Sequence, residues 1–226
     1  MNLNQAKEST IAAIDIGTNS AHLVIAKIDD QEHLTILDSD KEILRLGDDL
    51  DEHKVLSEES IKRTTKVILQ MKEIASKHDP IYRVVATFAV RSARNHQNFI
   101  REIHQKTGIE IALIDGIEEA RLTSLGMLSG LPLRNQNFLS LDIGGGSTEI
   151  TIRNNEKITY VASIPLGCVT LSKKYFYQEN TQPKTKEILA LEKFIAMQLA
   201  PIIFEAKKKT YQLAVMSSGT AKALAY

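Results

Sequence analysis

The sequence predicts an α/β protein in two lobes, each built on a mixed sheet, and two observations carry that expectation. The first is a repeated unit. Ile11-Ala12-Ala13-Ile14-Asp15-Ile16-Gly17-Thr18-Asn19-Ser20 is a small-apolar strand that ends in Asp-Ile-Gly and a polar turn, and Leu139-Ser140-Leu141-Asp142-Ile143-Gly144-Gly145-Gly146-Ser147-Thr148-Glu149 repeats the plan with three glycines. Each copy is followed by a returning strand of apolar residues, at His22–Ile28 and at Ile150–Ile152. A glycine-rich hairpin would account for one copy; two copies suggest a duplicated unit. The second observation is that helix-length segments alternate with strands elsewhere in the chain, the pattern of layered α/β domains. At 226 residues the chain can bury two cores. The polar stretch Arg134-Asn135-Gln136-Asn137 is the best junction, so the lobes are expected at 1–132 and 133–226.

The remaining elements follow in order. Leu34, Ile36, Ile43 and Leu44 suggest a third strand and a turn into Arg45-Leu46-Gly47. Ser57 to Lys77 is a helix: Ser57 can cap it, Glu58 and Glu59 suit its positive end, and Ile61, Thr64, Ile68, Met71 and Ala75 recur at helical spacing. His78-Asp79-Pro80 stops it. Ile81 to Thr87 is a strand, and Asn95 can cap a helix that ends at Gly108. Ile109 to Ile114 is a further strand and Glu118 to Gly130 a helix. A long helical pattern from Ile188 to Ile203 is expected to kink or break at Pro201, with Lys207-Lys208-Lys209 near its end.

Composition excludes several classes. Lys+Arg and Asp+Glu both number 28, so no overall field steers a polyanion and nucleic-acid binding is disfavoured. The single cysteine, Cys168, excludes an intramolecular disulfide framework and is consistent with a reducing cytosol. The first ten residues are neither a signal nor a transit peptide, and no apolar run approaches the roughly 20 residues of a membrane span. A cytoplasmic protein without a membrane partner is expected. The six histidines show no metal-ligand spacing, which argues against zinc.

The residues themselves suggest phosphate chemistry. Consecutive glycines let successive N–H groups point at one anion with no side chain in the way. Asp142 at the strand end would sit beside that anion, and a carboxylate beside phosphate implies a bridging divalent cation. Arg91 follows a strand where a loop is expected, and its guanidinium fork fits phosphate oxygens; Arg45 is a weaker second candidate. On composition alone, Glu118 and Glu119 are residues suited to the start of a helix.

The two Asp-Ile-Gly loops resemble the phosphate motifs of the exopolyphosphatase and guanosine pentaphosphate phosphohydrolase family. Val85-Ala86-Thr87-Phe88-Ala89-Val90-Arg91-Ser92-Ala93-Arg94-Asn95, Gly116-Ile117-Glu118-Glu119-Ala120-Arg121-Leu122, Pro165-Leu166-Gly167-Cys168-Val169 and Ser217-Ser218-Gly219-Thr220-Ala221 fit that family in order. The resemblance implies a two-lobed actin-like (ribonuclease H-like) fold with mixed central sheets and a cleft between the lobes. It implies release of a terminal phosphate from inorganic polyphosphate or guanosine pentaphosphate with Mg²⁺, and a homodimer is compatible with it. Phosphate contacts would come from Gly17, Thr18, Asn19, Ser20, Arg91, Gly144, Gly145, Gly146, Ser147 and Thr148. Asp15, Asp142 and Glu149 would serve the metal. Register within Glu-Ala-Arg places the catalytic glutamate at Glu119. Asp115 stands where Ser is frequent and Thr170 where a basic residue is common, and the second lobe is expected to be incomplete at Tyr226. Two alternatives stand beside the hydrolase: a kinase or ATPase of the same fold, and a module that binds guanosine penta- or tetraphosphate with little activity.

Overall fold

The computed structural model describes residues 9–30, 33–50, 53–133, 135–155, 157–176 and 182–225. They form two compact units, Met1–Ile114 and Asp115–Tyr226.

In the first unit, β1 (Ser9–Ile16), β2 (Ser20–Ile28) and β3 (Leu34–Ile43) make an antiparallel meander. β4 (Ile81–Ala86) then lies parallel to β1, and β5 (Ala112–Leu113) parallel to β4, giving the order β3-β2-β1-β4-β5. A short helix α1 (Leu46–Asp49) follows β3, and α2 (Glu58–Ser76), α3 (Phe88–Ser92) and α4 (His96–Thr107) complete the unit. α2 starts as expected, with the Ser57 hydroxyl accepting from the Ser60 N–H at 3.1 Å. It lays Ile61, Val67, Ile68, Met71 and Ala75 into a core with Ile14, Leu23, Ile25 and Phe99, all buried. Fully burying each larger aliphatic side chain contributes about 1.5–3 kcal/mol.

The second unit repeats the plan. β6 (Phe138–Ile143), β7 (Thr148–Asn154) and β8 (Lys157–Ile164) form the meander, and β9 (Leu213–Ser217) lies parallel to β6, in the order β8-β7-β6-β9. α5 (Gly116–Gly130), α6 (Cys168–Tyr175), α7 (Thr185–Ala206) and α8 (Ser218–Leu224) accompany it. The sequence boundary at 132/133 groups α5 with the first lobe. The compact units instead divide at Ile114, because α5 turns Ala120, Ser124 and Met127 onto the second sheet, against β7 and β8.

Four local expectations are corrected. α7 passes Pro201 without the break that is one of the two outcomes expected there; the Met197 carbonyl that loses its donor belongs to an exposed residue, where solvent can take it up. Within Ile109–Ile114 only Ala112 and Leu113 pair as a strand. Asn95 precedes α4 without capping it, and its amide instead brackets Leu56, accepting from the Leu56 N–H and donating to the Leu56 carbonyl. Arg91 lies in the short helix α3 rather than in a loop. Among the described residues no helix is long and apolar enough to cross a membrane.

Candidate active site

Each Asp-Ile-Gly motif closes the same turn. The Gly17 N–H donates to the Ser20 carbonyl at 3.0 Å, and the Gly144 N–H donates to the Ser147 carbonyl at 3.0 Å. Neither glycine has a left-handed φ. What they provide is space: a Cβ at Gly17 would stand 3.1 Å from the Ser20 oxygen, and one at Gly144 3.3 Å from the Ser147 oxygen.

The segment after the third strand then fastens each turn from behind. In the second unit the Gly144 carbonyl accepts from the Cys168 N–H, the Gly145 carbonyl from Val169 and Thr170, and the Gly146 carbonyl from Gly167. In a trans peptide the following N–H points opposite to the carbonyl. With three successive carbonyls turned to α6, the N–H groups of Gly145, Gly146 and Ser147 therefore face the other way. A row of donors of this kind suits an anion. In the first unit Gly47 donates to the Thr18 carbonyl at 2.8 Å and Arg45 to the Asn19 carbonyl at 2.9 Å, which turns the Asn19 and Ser20 N–H groups outward.

The Gly167 contact is close. A Cβ there would come within 2.3 Å of Gly145 and Gly146 backbone atoms, so only glycine lets this segment approach the loop. Thr170, where a basic residue is common, uses its hydroxyl to donate to the Gly146 carbonyl at 3.3 Å. The Thr148 hydroxyl donates to the Leu166 carbonyl at 2.7 Å and so also serves to hold the loop.

The carboxylates differ sharply in setting. Glu149 is only 3% exposed; burial first, and then the charge of Glu119, push its carboxyl up to about 7, against hydrogen bonds from Ser147 and Ser163. The Ser163 hydroxyl donates to it at 2.8 Å. Asp142, directly opposite Glu149 on the neighbouring strand, is also raised by burial, offset by the Ser217 hydroxyl donating at 2.6 Å. Glu119, Glu149 and Asp142 thus share one electrostatic neighbourhood in the second unit. In the first unit Asp15 is exposed, opposite His22 across the hairpin.

Glu118 and Glu119 are set apart by their partners. Arg121 grips Glu118 bidentately, with Nε at 2.7 Å and Nη2 at 2.6 Å, and holds its carboxyl below the ordinary value. Glu119 is the residue whose charge reaches Glu149. Asp115 caps α5, accepting from the Glu118 N–H at 2.8 Å; Asp and Ser are comparable caps, so the departure from Ser keeps the local function. Arg91 donates to the Ile114 carbonyl at 2.7 Å within the first unit.

Beside these loops and carboxylates, the model of the Ppx/GppA phosphatase family matches residues 24–226. The chain belongs to that family. A bifunctional 3-dehydroquinate synthase/phosphatase of Fusobacterium nucleatum subsp. nucleatum is 36% identical, over 78% of this chain and 29% of that protein. The chain therefore spans well under half the length of this curated relative. The Ppx/GppA family member of Aquifex aeolicus superposes with TM-score 0.75 at 29% identity, over 95% of this chain and 67% of that one. An exopolyphosphatase from Cytophaga hutchinsonii gives TM-score 0.87 at 26% identity, over 96% and 69%. The two mixed sheets are those of the actin-like α/β fold shared by these family members.

The family's divalent-metal dependence can be tested against the donors present. Asp142 and Glu149 are cross-strand neighbours, both oxygen donors, and both held in a setting that disfavours their charge. A hard cation would reverse that penalty. Mg²⁺ needs only one or two carboxylates besides water and phosphate, so the residues fit it. No larger cluster of metal ligands occurs among the described residues.

Proposed function

We propose that this chain is a phosphohydrolase that releases the terminal phosphate of inorganic polyphosphate, guanosine pentaphosphate or both, by attack of a water oriented by Glu119. The observation that carries the reading is the gathering of Glu119, Glu149 and Asp142 beside a glycine loop whose carbonyls are tied back to α6. Family membership and the exopolyphosphatase neighbour support the reaction class.

In this reading the N–H groups of Gly145, Gly146 and Ser147 bind oxygens of the terminal phosphoryl group, with Gly17, Thr18, Asn19, Ser20 and Thr148 forming the rest of the phosphate-binding set. Arg91 adds positive charge to that set. Asp142 and Glu149 hold Mg²⁺, and Asp15 offers the equivalent carboxylate of the first repeat. Bound Mg²⁺ offsets the charge on the phosphoryl oxygens. Glu119 accepts the water proton as the new O–P bond forms and the anhydride P–O bond breaks. The products are orthophosphate and a chain shorter by one phosphate. Burial first, and then the charge of Glu119, raise the free Glu149 carboxyl, a penalty that a bound cation would offset.

The test is phosphate release with Mg²⁺ from polyphosphate, guanosine pentaphosphate and ATP in parallel. Glu119→Gln is expected to lower the rate by about 10²–10⁴-fold, and chelation of Mg²⁺ to abolish it. Release from ATP alone would favour a kinase or ATPase. Binding of guanosine pentaphosphate without release would favour a sensing module.

A further inference from the structure

The two repeats can be laid on one another through their hydrogen bonds, and this exposes a residue that the reading above leaves unused. Arg45 precedes α1 as Gly167 precedes α6. The Arg45 N–H donates to the Asn19 carbonyl at 2.9 Å, and the Gly167 N–H donates to the Gly146 carbonyl at 3.2 Å. Two residues further on, Gly47 donates to Thr18, as Val169 donates to Gly145. Arg45 and Gly167 therefore hold the same place behind equivalent turns.

What occupies that place differs in kind. At Gly167 the loop leaves no room even for a Cβ. At Arg45 the chain has a long cationic side chain, and it places that residue at φ 54 and ψ 36, in the left-handed region where glycine is favoured. Retaining arginine on a backbone that suits glycine indicates a role for the side chain. That side chain is exposed, and among the described residues its guanidinium makes no hydrogen bond or ion pair. The nearby Asp49 is already engaged, by Arg63 and by the Ser60 hydroxyl. An uncommitted guanidinium rooted one hydrogen bond from a phosphate-type loop has the chemistry to meet an anion there.

We propose that Arg45 is a substrate-binding residue, supplying the first loop with a cation that contacts phosphoryl oxygens of the polyanion. The proposal rests on the phosphohydrolase reading for the identity of the anion. Arg45→Gly separates side chain from backbone, since it removes the guanidinium while relaxing the left-handed residue. The expected result is a melting temperature equal to or above that of the wild type. Affinity for tripolyphosphate, measured by titration calorimetry, is expected to fall about tenfold, with a smaller salt dependence, and KM to rise by more than kcat falls. Arg45→Lys should recover part of the affinity. A folded Arg45→Gly protein that binds tripolyphosphate as the wild type does would overturn the proposal, as would a wild-type chain that does not bind tripolyphosphate. Arg45-dependent binding by a wild-type chain that releases no phosphate would support the residue's role while refuting the hydrolase reading.

Discussion

The two units of this chain are variations on one plan, and the differences fall where chemistry is expected. Both begin with a meander whose first turn is closed by a Gly–Ser hydrogen bond of 3.0 Å, and both add a parallel strand beside the first. Asp15 corresponds to Asp142, each at the penultimate position of its strand. Opposite Asp15 stands His22, and opposite Asp142 stands Glu149. Beside Asp15 on the parallel strand lies Val85, and beside Asp142 lies Ser217. The Arg45 N–H bonds its loop where the Gly167 N–H bonds the other. The first repeat thus presents an exposed acid and a cation, whereas the second sets one buried and one half-buried carboxyl under hydroxyl donors. The shared scaffold fixes where the turns are. The residues that differ determine the charge each turn presents.

The strongest way to break this comparison is Gly167→Ala. The first repeat carries arginine at the equivalent place, but the second would bring the new methyl within 2.3 Å of backbone that has no flexible end to move aside. The expected cost is about 3 kcal/mol, concentrated in β6, β7 and α6. Denaturant titration would measure it, and hydrogen exchange would locate it. A loss under about 1 kcal/mol would mean that the Gly145–Gly167 approach is not a constraint, and that the two places are more alike than the structure indicates.

Glu149→Gln ranks next and tests the buried acid. The folded carboxyl titrates near 7 against an ordinary 4.5, so between those values the folded state holds a proton that the unfolded state has released. Stability therefore falls as pH rises through that window, and the full cost remains above it. A displacement of this size corresponds to roughly 3 kcal/mol at pH 8. Glu149→Gln should flatten the profile between about pH 4.5 and 7 and gain relative stability at pH 8, less what it loses in bonds from Ser147 and Ser163. A profile as steep as that of the wild type would show that Glu149 is not the group responsible. Because the charge of Glu119 contributes to the shift, Glu119→Gln should lower the Glu149 midpoint, readable by side-chain carboxyl NMR.

Much of this was legible in the sequence, for local reasons. The doubled Asp-Ile-Gly turn, the Ser57 cap and the left-handed Gly108 each depend on a few neighbouring residues, so their signals survive in one dimension. The partners of the carboxylates do not. Ser163 reaches Glu149 only because the β7–β8 register slips between Ile152 and Arg153; counted evenly from the turn, Ala162 would stand opposite Glu149 instead. The need for glycine at position 167 arises from a loop some twenty residues earlier in the chain and has no local signature. α5 reads as a helix of the first lobe until its buried face, Ala120, Ser124 and Met127, meets the second sheet. The alternation in β3 marks a strand without telling whether a face is covered, and Leu34, Ile36 and Ile43 are all exposed.

The finest test of the comparison converts one repeat toward the other. Ser217 donates to Asp142 at 2.6 Å, whereas Asp15 has Val85 in the same position. Ser217→Val keeps a strand-compatible side chain and removes the hydroxyl alone. A hydrogen bond to a charged carboxyl is worth about 1.5–3 kcal/mol, and the half-buried Asp142 would lose the hydrogen bond that offsets its desolvation. Its carboxyl should therefore rise further. The destabilisation should appear mainly above the native titration range of Asp142, where the wild-type carboxylate is ionised, and shrink at acid pH, where the group is protonated in either protein. Denaturation at pH 8 and at pH 3 separates these cases. An equal loss at both would identify Ser217 as a packing residue, and the hydroxyl would then not be what sets the second aspartate apart from the first.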